Sequence, residues 1–177
     1  AARYDGNPEV AFLDVGSLGV WGEGHTGAST RRPILPETVR RHIDLHKKHF
    51  SRTLLAANDD LGGHDASGGS DVMQYAAEHG LTLRDDSILV QPGRRAYYHA
   101  AWAEAFWPRV PVILESEHYG GSKARGNWQD GSLYLKAIEQ YHASYADVEE
   151  LNALAKENGF DFWYQYFGNR NNVNQNM

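Results

Sequence analysis

No cysteine occurs among the 177 residues. Disulfides and thiolate chemistry are thereby excluded, while the compartment stays open, since exported proteins also lack cysteine. No run approaches the ~18 apolar residues of a membrane span, and no signal peptide is visible. Neither G-x-x-x-x-G-K-[ST] nor G-x-G-x-x-G stands in its required setting: Gly62-Gly63 and Gly68-Gly69 lack both the lysine and the strand-to-helix context. A nucleotide site is therefore not expected. The G-x-S-x-G elbow of serine hydrolases is missing, as is the H-E-x-x-H pair of zinc proteases. Positive charge is also in short supply. A net charge of −6 argues against a nucleic-acid or anionic-membrane surface. The one basic cluster, Arg40-Arg41 to Lys47-Lys48, shares a helical stretch with Glu37 and Asp44 and reads as a solvated face. The chain opens at Ala1 without an initiator methionine, so a processed product or a fragment is expected.

What is present is ordinary globular composition, 41% hydrophobic and 23% charged, enough for one domain over residues 1–177 with a polar tail at 168–177. Glu9 to Val15, Thr53 to Ala57, Leu81 to Leu83, Val110 to Glu115 and Phe160 to Phe167 read as strands. Between them, helical spacing runs from Pro36 through Phe50 (Val39, Ile43, Leu45, His46, Phe50), from Ser70 to Glu78, and from Tyr97 to Trp107. Leu133 to Tyr145 and Val148 to Asn158 complete the helical stretches, and Gly80 makes a good helix stop. Alternating strands and helices are the parallel α/β signature. Two architectures fit: a five-stranded doubly wound parallel sheet, which suits the length, or the C-terminal part of a (β/α)8 barrel, which normally needs roughly 250 residues.

The chain's central stretch is Phe12-Leu-Asp-Val-Gly-Ser-Leu-Gly-Val-Trp-Gly-Glu-Gly-His25, a buried run that breaks into glycines and presents Trp21, Glu23 and His25. Each later strand repeats the pattern. Asn58, Asp59 and Asp60 follow the second, Asp85 and Asp86 the third, Glu115, Glu117, His118 and Tyr119 the fourth, and Trp163 and Tyr166 lie on the fifth. In parallel α/β folds ligands bind beyond the carboxyl ends of strands, and a barrel gathers all of those ends into one ring. That recurrence favours the barrel.

Two carboxylates flanking an aromatic cleft are what glycoside hydrolysis needs, one protonated for the leaving group and one to attack or to activate water. Glu23 and Glu115 stand three βα steps apart. The separation resembles the clan of retaining (β/α)8 glycoside hydrolases, whose acid/base ends strand four and whose nucleophile ends strand seven. The segment Asp14-x-Gly-x-x-Gly-x-Trp-Gly-Glu-x-His25 is similar to a set of poorly characterised glycosidase-like barrel proteins, and Val110 to Tyr119 resembles their strand seven. One departure is that Gly22 precedes Glu23 where the clan usually has Asn. The resemblance implies that the visible strands are numbers four to eight, with three more before residue 1 or a tendency to self-associate. It also implies a carbohydrate substrate, no cofactor, and a secreted or periplasmic location. Glu23 is the expected acid/base and Glu115 or Glu117 the nucleophile; the same parity points both inward. Trp21, Trp163 and Tyr166 would stack on sugar, while His25, Asn58, Asp59, Asp60, Asp85, Asp86, His118 and Tyr119 would make polar contacts. Retaining sites separate their carboxyl groups by about 5–5.5 Å and inverting ones by about 6.5–9.5 Å. Two alternatives stand beside the hydrolase: a carbohydrate-binding barrel without catalysis, and a metal-dependent hydrolase using His25, His118 and the acidic loops.

Overall fold

The computed structural model describes residues 1–26, 32, 34–62, 69–88, 99–116, 124–126 and 132–146. The expected strand at 160–167, the helix at 148–158 and the tail at 168–177 lie outside these residues, as do Glu117, His118, Tyr119, Trp163 and Tyr166.

Apolar runs become or begin strands β1 (Phe12–Asp14), β2 (Leu54–Asn58), β3 (Thr82–Ile88) and β4 (Val112–Ser116), and a fifth strand, β5 (Ala143–Ala146), follows them. Periodic stretches become helices α1 (Pro36–His49), α2 (Gly69–Glu78), α3 (Ala100–Ala103) and α4 (Ser132–Gln140). α1 begins as its sequence dictates: Leu35 is extended before Pro36, which opens the first turn with Glu37 beside it. Its last turn holds His46, Lys47, Lys48 and His49, the charge that the helix dipole favours there. Of the expected apolar stripe, Val39 and Ile43 are buried, whereas Leu45 is 50% exposed, because a residue two places from Ile43 lies across the helix from it. α2 closes with the paired bonds Leu81 N–H to Ala76 O (3.0 Å) and Gly80 N–H to Ala77 O (3.1 Å). No described helix is long and apolar enough to cross a membrane.

All five strands are parallel and pair in sequence order, β1-β2-β3-β4-β5. The α/β expectation of a five-stranded parallel sheet is met. The register sorts the side chains. Val15, Leu55, Ala57, Leu83, Val112 and Leu114 share one face, and they form one core with residues of all four helices, among them Ile43, Met73, Ala103 and Tyr134, and with Phe106 just after α3. The opposite face carries Asp14, Asn58, Arg84, Asp86 and Glu115. Among the described residues no core helix packs on this face, and it is concave. Phe12 on β1 and Tyr145 on β5 bring their ring centroids to 6.0 Å. A flat sheet would hold the two outer strands about 19 Å apart, four strand spacings.

Three elements differ markedly from the sequence expectation. Of the helix expected from Tyr97 to Trp107, the described residues are helical only over Ala100–Ala103, and turns occupy 104–109. β3 runs on through Asp85 and Asp86 to Ile88, since both aspartates find hydrogen-bond partners within the fold that outweigh their turn preference. The helix expected over 133–145 stops at Gln140. His142 takes a left-handed φ of 50°, its ring stacks on Trp107 at 4.1 Å, and residues 143–146 become β5. Helical period alone does not announce that reversal.

Candidate active site

The loop after β1 folds onto itself. Val20 N–H donates to His25 O (2.8 Å), Gly24 N–H to Leu18 O (3.0 Å) and Glu23 N–H to Val20 O (3.1 Å). Glycine is required where the chain passes closest to its neighbours. A Cβ on Gly22 (φ +85°) would lie 2.5 Å from Gly16 O, and one on Gly24 (φ +97°) would lie 2.9 Å from the Leu61 backbone nitrogen. Gly24→Ala should therefore cost about 1–3 kcal/mol, a penalty for left-handed backbone compounded by the clash. A fall in the urea midpoint at unchanged slope would register it.

This knot fixes the three side chains that it presents. Glu23 Oε2 lies 3.3 Å from His25 Nε2, and the Trp21 ring meets His25 edge-on at 5.3 Å. Trp21 is 80% exposed at a positive φ of 57°, so its indole stands clear as an apolar plate beside the carboxylate. Glu23 holds its proton more tightly than an ordinary glutamate. Burial is the chief cause and Asp86 the second, while Arg84 and His25 oppose them and Glu115 adds a smaller push.

Arg84, on the concave face of β3, bridges the site. Its guanidinium pairs with Asp14 at 3.4 Å and donates to Glu115 on β4. Burial works against its charge, but Glu115 and Asp14 more than compensate, holding it above the ordinary arginine range. Asn58 Nδ2 donates to Asp86 Oδ2 at 2.7 Å, and Asn58 Oδ1 accepts from Asp60 N–H at 2.9 Å. Asp60 is pushed up to about 6, first by burial and then by Asp86. Burial likewise raises Asp14. Glu23, His25 and Asp60 also bring ligand atoms within 4.8 Å of one another, a spacing that a cation would tolerate.

Of the expected site residues, Trp21, Glu23, His25, Asn58, Asp60, Asp86 and Glu115 thus gather at the carboxyl end of the sheet or on its concave face. Asp59 and Asp85 do not join them. They are 1% and 0% exposed and turn instead toward His99, at the start of α3. Sequence reasoning missed Arg84, Asp14 and His99. Arg84 shares the parity of Asp86, a signal that is visible only once β3 is known to continue past Leu83. A hollow of about 230 Å³ at the opposite, amino end of the strands, lined by Lys47, Phe50, Arg52, Thr53, Leu55 and Leu81 among others, has no carboxylate in its walls.

No protein-family model, curated protein or solved structure matches this chain. The chemistry of the site rests on its own geometry.

Proposed function

We propose that this chain is a glycoside hydrolase in which Glu23 is the general acid/base and Glu115 the facing carboxylate, nucleophile or base. The supporting observation is the difference between their surroundings. Glu23 is partly buried and pushed toward its protonated form, whereas Glu115 is paired with the Arg84 guanidinium, and the two are near enough for their charges to interact. One carboxyl group pushed toward its protonated form, with a second held in place by a guanidinium close by, is an arrangement that suits acid-assisted glycosidic cleavage. Trp21 offers the exposed face on which a sugar ring packs, and the Asn58–Asp86 pair and His25 offer hydroxyl partners.

The fold belonging to this proposal is an arc of a (β/α)8 barrel in which β1 to β4 are strands four to seven and β5, rather than the expected 160–167, takes the eighth place. Its support is the unbroken strand order, the packing of the described helices on one face, and the Phe12–Tyr145 approach across the concave side, since opposite strands of an eight-stranded barrel bring inward side chains to a shared centre. β1 and β5 then present edges that further strands or a second copy would cover.

The test is turnover of a panel of aryl glycosides and oligosaccharides by the full chain, with proton NMR of the anomeric centre of the first-formed product. Retention assigns Glu115 as nucleophile, and inversion assigns it as base. Sugar binding without turnover of any substrate would replace the hydrolase with a carbohydrate-binding barrel. Turnover undiminished in Glu115→Gln would remove Glu115 from the mechanism.

A further inference from the structure

Asp59, Asp85 and His99 come from three separate segments: the turn after β2, the helix-facing side of β3 and the residue before α3. Their side chains meet in the interior between sheet and helices, away from the concave face. His99 Nδ1 lies 3.4 Å from Asp59 Oδ2 and 3.5 Å from Asp85 Oδ2. Charge-assisted N–H···O bonds run about 2.7–2.9 Å, so these separations are too long for good ones. Among the described residues, neither Asp59 Oδ2, Asp85 Oδ1 nor His99 Nδ1 has a hydrogen-bond partner, although the three side chains are at most 8% exposed. Buried polar atoms are nearly always paired, so Asp59 Oδ2 and His99 Nδ1, which face each other at 3.4 Å with the Asp85 carboxylate beside them, call for an occupant.

We propose that Asp59, Asp85 and His99 form a site for one divalent metal ion of the zinc or manganese class, separate from the Glu23–Glu115 site. Three observations converge on it. First, two donors bound at about 2.1 Å to one ion in a tetrahedral array stand about 3.4 Å apart, which is the spacing His99 keeps from both carboxylates. Second, two carboxylates and a neutral imidazole sum to −2, which a divalent cation cancels, whereas a proton on His99 leaves a net buried negative charge. Third, each donor is already oriented by a neighbour. Asp86 N–H donates to Asp59 Oδ1 (3.1 Å), Tyr141 Oη to Asp85 Oδ2 (2.5 Å), and Trp102 stacks on the His99 ring at 4.0 Å and 11°. Asp59 and His99 are thus held from behind, as metal ligands characteristically are, while Tyr141 fixes Asp85 through the oxygen that faces His99. Oxygen and imidazole donors without thiolate favour zinc or manganese over softer ions. Three protein donors also leave a coordination position open. The ion ties the end of β2 and the middle of β3 to the start of α3, so it acts on the fold whether or not the concave face hydrolyses sugars.

The test uses the full chain stripped by chelator and titrated separately with Zn²⁺, Mn²⁺ and Mg²⁺, reading bound ion per chain by elemental analysis and thermal unfolding. One ion of Zn²⁺ or Mn²⁺ per chain is expected, with a raised unfolding temperature. Affinity should fall at least 100-fold in Asp59→Asn and His99→Ala and stay unchanged in His25→Ala, which dismantles the Glu23–His25–Asp60 group instead. Absence of stoichiometric binding by the wild-type chain would overturn the proposal and leave a proton shared by the triad. Binding lost in His25→Ala and kept in His99→Ala would overturn it too. Should His99→Ala fail to fold, imidazole ¹⁵N NMR of the wild-type chain decides: Zn²⁺ must shift the His99 Nδ1 resonance, and an unmoved resonance sinks the site.

Discussion

Glu23→Gln is expected to lower turnover by about 10²–10⁴-fold, the usual worth of a positioned general acid or base. The amide keeps the size of the carboxyl group and its hydrogen-bonding reach, but it can neither give up nor accept the proton that the leaving oxygen needs. Binding is expected to survive, because the Trp21 plate and the Asn58–Asp86 pair do not depend on that proton. The check is paired kinetics and calorimetry on a substrate that wild-type chain turns over. A substrate with an activated phenolic leaving group should be hurt least, since it departs without protonation. Equal loss on activated and unactivated substrates would place Glu23 outside the acid role.

The pH profile of kcat/KM follows from the same environment. A general acid works only while protonated, so activity falls on the alkaline side as Glu23 loses its proton. Its proton affinity is raised, chiefly by burial and next by Asp86, so that limb is displaced above the ordinary glutamate value of 4.5. The stability consequence has a definite sign. A carboxyl group whose folded pKa is raised binds more protons in the folded than in the unfolded state over the interval between the two. The contribution from Glu23 is therefore complete below the ordinary glutamate range and is lost as pH climbs through the folded value.

The order of strands and helices up to β4 was legible because apolar runs ended in glycine or acid, and because Pro36 and Gly80 punctuated α1 and α2. Glu23 and Glu115 could be paired in advance, since the spacing of three βα steps is a property of sequence. What could not be read depends on curvature. Arg84 and Asp14 are 70 positions apart and on strands that do not pair directly, and nothing in either segment announces their contact. Asp85 and Asp86 looked like one acidic turn, yet adjacent residues of a strand point to opposite faces. One reaches Asn58, and the other reaches Tyr141 and His99. β5 was hidden for a related reason: Tyr134, Ala137 and Tyr141 keep a helical period into the turn, and only the left-handed His142 marks the break.

Arg84→Met tests whether one cation organises the concave face. The substitution keeps an unbranched apolar stem and removes the charge that Asp14 and Glu115 share. Removing one partner of a fully buried pair costs about 3–5 kcal/mol, but Asp14 and Glu115 are 36% and 40% exposed, and water screens what is left behind. A stability loss of about 1–2 kcal/mol is the appropriate expectation. The effect on turnover should be larger, about 100-fold or more, since Glu115 loses the group that aims it and positioning errors of an ångström are worth that much. Disordering alone would also slow the enzyme, so the decisive measurement is the alkaline limb. Arg84 lowers the proton affinity of Glu23 and Asp86 raises it. Arg84→Met should therefore move the limb to higher pH, and Asp86→Asn should move it to lower pH. A purely structural role for either residue predicts no such opposition. Shifts in the same direction, or none, would mean that Glu23 does not set the limb, and the two-carboxylate mechanism would lose its acid.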